Sequence, residues 1–215
     1  MCTTTLTKPR GNRFAARTYD TMMKRPEKAG MEERRRRLIA QASGAVLEIG
    51  AGTGLNLDHY PSGLERLVIT EPEPHMARQL QRKIDQLGRP VEVVEAQAEE
   101  LPFEDESFDT VVSTFALCTV GDPDLALEEI ARVLRPGGRL LFLEHVRADS
   151  ERLAHWQDRL AGPWKWFGYG CKCNQPTVDL VRDSGFEVEL TDTADWAKMP
   201  PIVRPLAGGA ATKPG

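Results

Sequence analysis

Three glycines at positions 50, 52 and 54 follow directly on the apolar run Val46, Leu47 and Ile49. A strand that ends this way must turn tightly and leave its backbone bare where a ligand presses on it, as in nucleotide-type cradles. The spacing Gly50-x-Gly52-x-Gly54 departs from the Gly-x-Gly-x-x-Gly of dinucleotide sites, where a pyrophosphate rests on a helix N-terminus, so a ligand without phosphate is expected. Arg66 to Glu71 reads as a second strand that closes on a carboxylate about 20 residues after the glycines, the place for a bidentate acceptor of two ribose hydroxyls. Glu71 also begins the helical stretch Pro72 to Leu87, where a carboxylate favours the helix dipole; the two roles are compatible. His145, next to Glu144 at the end of a later strand, is the one attractive general-base candidate, although a histidine there can equally bond a helix end.

Alternating strands and helices with short connections must position these groups. Val91 to Gln97 and Phe108 to Cys118 read as the third and fourth strands, and Asp122 to Leu134 as a helix with Asp122 as N-cap and Pro123 in its first turn. Arg139 to Val146 is the fifth strand, and its run Leu140-Leu141-Phe142-Leu143 implies a sheet covered on both faces, hence mostly parallel and doubly wound. Glu151 to Leu160 and Thr177 to Ser184 read as helices, Gly185 stops the second, and Phe186 to Leu190 is a strand that a piece near Ala207 to Thr212 can pair with.

The chain has 215 residues, 40% hydrophobic and 28% charged, enough for one α/β unit with a proper core. No apolar run of about 18 residues and no signal-peptide pattern is present, so a cytoplasmic protein without a membrane span is expected. Cys2, Cys118, Cys171 and Cys173 fit a reducing compartment, and Cys171-x-Cys173 is too short for a zinc half-site, so no metal is expected. Residues 1 to 40 carry a net charge of +7 and the remainder −11. This basic arm, residues 1–43, is expected to lay two helices over the domain of residues 44–215. Phe14, Ala15, Tyr19, Met22 and Met23 mark the first helix, and Met31, Leu38, Ile39 and Ala42 the second. The run Arg34 to Arg37 reads as a solvated helix face or as a weak membrane-surface or acidic-partner contact. Nucleic acid is disfavoured because most of the chain is acidic.

Glu48 to Gly54, Glu71, Ala98-Glu-Glu-Leu-Pro-Phe103 with Ser107-Phe-Asp109, and Leu134-Arg-Pro-Gly-Gly138 together resemble the class I S-adenosylmethionine-dependent methyltransferases over roughly residues 44 to 147. The resemblance implies an α/β Rossmann-like fold with a seven-stranded, mostly parallel sheet in the order 3-2-1-4-5-7-6, strand 7 antiparallel. It implies S-adenosyl-L-methionine as cofactor and S-adenosyl-L-homocysteine as product. By the same resemblance Glu48, Gly50, Ala51, Gly52, Thr53, Gly54 and Asn56 surround the methionine end, Glu71 and Pro72 the ribose, Gln97, Ala98 and Glu99 the adenine, and Thr114 and Leu117 the end of strand 4. An aspartate is common at the position of Gln97; glutamine still accepts a bond through its amide oxygen but brings no charge. Ala116 to Val120, Glu144-His-Val146, Pro163-Trp-Lys165 and Gly170-Cys171 are similar to the thiol S-methyltransferases of vertebrate endoplasmic reticulum. Those proteins have a hydrophobic N-terminal anchor where this sequence has its basic arm, so a soluble relative is expected. Ubiquinone and menaquinone C-methyltransferases are more distant relatives.

Methyl transfer from a sulfonium is an in-line displacement, so the protein mainly positions the nucleophile and excludes water. A thiol is a few per cent ionised near pH 7 and intrinsically nucleophilic, whereas a phenol or amine more often needs a base such as His145. Tyr19, Met23, Cys118, Trp164 and Tyr169 are expected to line a pocket for a small lipophilic acceptor, although aromatic and Met residues at such spacing are often plain core. Cys118 and Cys171 read as small buried residues rather than nucleophiles. The preferred function is S-methylation of a thiol. O- or C-methylation of a phenol or quinone, or cofactor binding without turnover, are the alternatives.

Overall fold

A computed structural model describes residues 13–88 and 90–215, with side chains from residue 16 onward. Cys2 and the first twelve residues of the basic arm lie outside the described residues, as do the side chains of Phe14 and Ala15. The helices are α1 (Arg13–Pro26), α2 (Glu32–Ile39), α3 (Pro74–Leu87), α4 (Pro123–Val133), α5 (Glu151–Phe167) and α6 (Thr177–Asp183). The strands are β1 (Ala45–Ile49), β2 (Arg66–Thr70), β3 (Glu92–Val94), β4 (Phe108–Thr114), β5 (Leu134–His145), β6 (Glu187–Asp195) and β7 (Pro205–Thr212).

The seven strands form one sheet in the order β3-β2-β1-β4-β5-β7-β6. Pairing is parallel from β3 through β5, and β7 runs antiparallel to both β5 and β6. Side chains alternate between two cores. Leu47, Ile49, Val111 and Phe142 meet α4 and α6 through Leu127, Ile130 and Val181 on one face, and Val46, Val112 and Leu141 meet α2 and α3 through Ile39, Leu80 and Ile84 on the other. From β1 the chain steps outward to β2 and β3, then returns to β4 on the other side of β1. The carboxyl ends of β1 and β4 therefore flank the crevice where winding reverses, the usual ligand position in open α/β sheets. Helix starts follow local chemistry: Glu73 accepts from the backbone N–H groups of His75 and Met76, Asp122 from those of Asp124 and Leu125, and each is followed by a proline.

Several boundaries differ from expectation. β3 stops at Val94 rather than Gln97, and β4 at Thr114 rather than Cys118, because Phe115 takes a left-handed backbone (φ 57°) and turns the chain. β5 starts at Leu134, which pairs with Phe108 ahead of a register shift before Arg139. α5 continues through Pro163 to Phe167. Arg159, whose carbonyl Pro163 leaves without its helical donor, is exposed to water. β6 extends to Asp195 past a bulge between Leu190 and Asp192, held by its pairing with β7.

β7 is threaded between two strands, and its middle is Ala207-Gly-Gly-Ala-Ala211. A Cβ on Gly209 would lie 2.1 Å from the Glu189 carbonyl oxygen of β6. Gly209→Ala should therefore destabilise the protein by about 1–3 kcal/mol in urea unfolding. Gly63→Ala, where a Cβ meets nothing within 4 Å, should stay within about 0.5 kcal/mol of the parent.

Candidate active site

The turn after β1 is left-handed at each glycine, with φ 58° at Gly50, 59° at Gly52 and 81° at Gly54. Packing explains two of them. A Cβ at Gly50 would sit 2.8 Å from that of Ala116, and one at Gly54 would be 2.7 Å from Leu57 Cδ1. Gly52 has room, with only Met76 Sδ at 3.8 Å, and its bare backbone lies on the wall of a cavity of about 1780 Å³. That volume exceeds the roughly 300–1,000 Å³ of a single-ligand pocket, which leaves room for more than one small molecule.

Glu71 joins the two sides of this crevice. Its Oε2 accepts from the Gly52 N–H at 2.6 Å and its Oε1 from the Glu73 N–H at 2.8 Å. The side chain lies on the cavity wall with the residue only 5% exposed. Burial pushes its carboxyl up to about 7, against the two backbone bonds that favour the ionised form. Pro72, Gln97, Ala98 and Glu99 continue the same wall. Glu99 Oε1 also accepts from the Gly121 N–H at 2.6 Å, which fixes the loop between β4 and α4.

Five residues expected around a cofactor are off the cavity wall: Glu48, Thr53, Gly54, Asn56 and Leu117. They support it from behind. Glu48 accepts from Asn56 Nδ2 and from Tyr60 Oη, each at 2.7 Å, and burial raises its carboxyl above the ordinary range. Thr53 Oγ1 donates to Asp20 at 2.5 Å, and Asp20 also accepts from Lys83, so the turn is tied to α1 and α3. Gly54 makes room for Leu57 and Leu80, and Leu117 is wholly buried in the core.

Arg35 was not legible as a site residue within the run Arg34 to Arg37, yet it is 3% exposed. Its guanidinium donates to Asn56 Oδ1 at 3.0 Å, Thr114 Oγ1 at 2.8 Å and Glu27 at 3.2 Å, and lies 5.2 Å from the Phe115 ring centroid. Spacing carried the signal: Met31, Arg35, Leu38 and Ile39 share one buried helical face. The other three arginines pair with acids of this chain, Arg34 with Asp192 and both Arg36 and Arg37 with Glu33. The run is thus an ion-paired helix with one arginine turned inward, rather than a uniformly solvated face.

The expected acceptor residues Tyr19, Met23, Cys118, Trp164 and Tyr169 all line the cavity, joined by Phe115, Trp196 and Met199. Tyr19 meets Tyr169 edge to face at 5.5 Å, and burial first of all pushes its phenol up to about 12. Phe115 stacks on Trp196 at 4.7 Å, with the His145 ring 4.8 Å from Phe115. His145 is buried, and desolvation pushes it down to about 3 despite a ring bond to the Val203 backbone. Its Nδ1 has no hydrogen-bond partner among the described residues. Cys118 is buried next to Cys171 and is raised well above an ordinary thiol, first by its bond to Cys171 and then by burial, so it is no ready thiolate. Glu144, also missed as a functional group, accepts from Ser113 Oγ at 2.7 Å and from the Ala116, Leu117 and Cys118 N–H groups at 3.0 to 3.2 Å. It shapes the turn that carries Cys118 and Phe115 to the cavity.

A doubly wound sheet of this order, with a glycine turn and a buried acid at its switch point, defines the Rossmann-like methyltransferase fold. Residues 47–142 match the methyltransferase domain family. The chain is 34% identical to the human (Homo sapiens) thiol S-methyltransferase TMT1B, covering 84% of this chain and 79% of that protein. It is 37% identical to the phosphatidylethanolamine N-methyltransferase of Cereibacter sphaeroides over 60% of this chain and 66% of that one. A crystal structure of an S-adenosylmethionine-dependent methyltransferase from Aquifex aeolicus shares the fold with a TM-score of 0.61 at 16% identity, covering 94% of this chain and 99% of that chain. The chain belongs to the S-adenosylmethionine-dependent methyltransferases, and S-adenosylmethionine is its cofactor. The cavity suits an adenosyl sulfonium: a bare backbone at Gly52 and a buried acid at Glu71 lie on one wall.

Arg35→Met should cost about 2–4 kcal/mol in denaturant unfolding, because the partly buried Glu27 then loses its partner and Asn56 and Thr114 lose their buried donor. Adding Glu27→Gln should recover part of that loss; a strictly additive double variant would show that the pair is not coupled.

Proposed function

We propose that this methyltransferase acts on the sulfur of a small lipophilic thiol. The observation that carries the reading is the make-up of the aromatic part of the cavity, where Phe115, Trp164, Tyr169 and Trp196 line the wall with one buried imidazole, His145, whose Nδ1 has no partner among the described residues and which burial makes a weak base. His145 is held neutral with a value of about 3, and Tyr19 near 12. An acceptor there must be nucleophilic without strong assistance, which a thiol is and a phenol or amine less often is. The 34% identity to a thiol S-methyltransferase over most of the chain supports the same substrate class.

When bound, the cofactor supplies a methyl group on a sulfonium sulfur. In the proposed arrangement Glu71 accepts from the two ribose hydroxyls, Gly50, Ala51 and Gly52 lie against the methionine moiety, and Pro72, Gln97, Ala98 and Glu99 flank the adenosine. Thr114 closes the floor. Phe115, Trp196, Trp164, Met23 and Tyr169 exclude water from the acceptor sulfur, which favours the meeting of a thiolate with a cation. His145 Nδ1, unpartnered and unprotonated, accepts from the S–H as the acceptor enters and orients the sulfur; the thiol would lose its proton to water at the cavity mouth before the site closes, and the thiolate would then take the methyl group, leaving the donor as a neutral thioether. α1, with Tyr19 and Met23 on the cavity wall, is the cover that the arm of residues 1–43 provides over the domain of residues 44–215.

Incubation with labelled S-adenosylmethionine and a panel of thiols, phenols and amines should give methyl thioethers as the main products. Methylation of oxygen, nitrogen or carbon acceptors alone would refute the sulfur assignment. His145→Ala should slow phenol turnover no more than thiol turnover, since desolvation pushes the ring down to about 3 and makes it too weak a base to draw a proton from a phenol; a selective loss with phenols would restore it as a base.

Glu71→Ala should weaken S-adenosylmethionine binding by about 1.5–3 kcal/mol in calorimetry. Ribose hydroxyls favour the ionised carboxylate, so affinity should rise with pH until about 7 and then level off, changing by at most about tenfold per unit below that point. Glu71→Gln should flatten this profile. An unchanged profile would remove Glu71 from ribose recognition.

A further inference from the structure

α5 ends on Trp166 and Phe167, which stand 80% and 67% exposed and pack edge to face at 4.6 Å. Both reach the mouth of the active-site cavity, as does Met22 of α1, itself 55% exposed. Large apolar side chains grouped in water around a cavity mouth mark a contact surface rather than a packing accident.

The charged residues on the cavity wall are sorted by the element that carries them. The carboxylates Glu71, Glu73, Glu99 and Asp122 come from the segments that follow β2, β3 and β4. The exposed cations Arg25, Lys28, Lys165 and Lys198 come from α1, the turn after it, α5 and the connection between β6 and β7. None of these four forms an ion pair among the described residues. The whole chain has a net charge of −4, so this cationic rim is a local arrangement.

Aromatic rings seated at headgroup depth with lysines and arginines beside them are the means by which a folded surface meets an anionic bilayer. We infer that the rim formed by Trp166, Phe167 and Met22, with Arg25, Lys28, Lys165 and Lys198, docks on an anionic membrane surface. The cavity then opens toward the lipid, and an apolar acceptor enters without crossing water. A second copy of the chain fits the rim poorly, because a symmetric contact would press like charges together. The docking stands independently of the acceptor atom; only the entry of the acceptor rests on the reading of a lipophilic substrate.

The test uses the full chain and sedimentation with vesicles of phosphatidylcholine alone or with about one third phosphatidylglycerol. Binding should require the anionic lipid and be lost near 0.5 M salt, where charges are screened beyond about 4 Å. Trp166→Ala with Phe167→Ala, and separately Lys28→Glu with Lys165→Glu, should each lower the partition coefficient by roughly tenfold or more. Leu125→Ala, an exposed position on α4, should leave it unchanged, and unaltered thermal melting certifies that the variants fold. Absence of binding, equal binding to both vesicle types, or binding that survives both double substitutions overturns the proposal. So does a self-association that Trp166→Ala abolishes, which would assign the face to a second copy. Vesicle binding in the absence of thiol turnover would refute the substrate class and leave the docking surface standing.

Discussion

The Glu71 carboxylate has to satisfy backbone donors from two different loops while remaining out of water. Its bonds to Gly52 and Glu73 set the distance between the turn after β1 and the start of α3, and so the width of the crevice at the switch point. Burial drives the carboxyl toward neutrality and the two N–H groups draw it back, which leaves it balanced near 7. A ligand that adds two hydroxyl donors tips this balance toward the ionised form. On the proposed binding of a ribose, the acid that shapes the crevice would gain its further donors from the ligand itself.

The same device recurs along the carboxyl edge of the sheet. Glu48 fastens Asn56 and Tyr60, Glu99 fastens the start of α4, and Glu144 holds three consecutive backbone N–H groups after β4. Each is an acid from or just beyond a strand that reaches across to a loop. Carboxylates as buried as Glu48 and Glu144 are costly unless their lone pairs find donors, and for that reason they specify loop positions that apolar packing would leave loose; Glu99 does the same from a partly exposed position. Arg35 completes the set by linking α2 to Asn56 and Thr114 beneath the cavity.

What could be read in the sequence follows from the range of the forces involved. β1, β2, β4 and the capped start of α4 rest on apolar runs and local capping, which a single segment records. The strand order came from family resemblance, since pairing between distant strands leaves no local trace. The left-handed turn at Phe115 and the passage of α5 through Pro163 run against local preference and are set by tertiary contacts. As lining of the cavity, Gly50, Gly52, Glu71 and the aromatic wall were legible because each has a distinctive residue type. Glu48, Asn56 and Arg35 were misplaced or missed because a polar residue near a pocket can point into it or brace it from behind, and spacing alone does not separate the two.

The position of β7 has a consequence for how the sheet is assembled. β5 and β6 both precede residues 205–212 in the chain, yet the second neighbour of β5 and the only sheet neighbour of β6 is the strand that follows them. β5 keeps one open edge beside its pairing with β4, and β6 has no partner strand in the sheet, until that ribbon, mostly alanine and glycine, is in place. Its small residues suit a late insertion into a slot walled on both sides. Without this ribbon the glycine turn and the Glu71 crevice, on the other side of β4, would stand beside a sheet left open at β5.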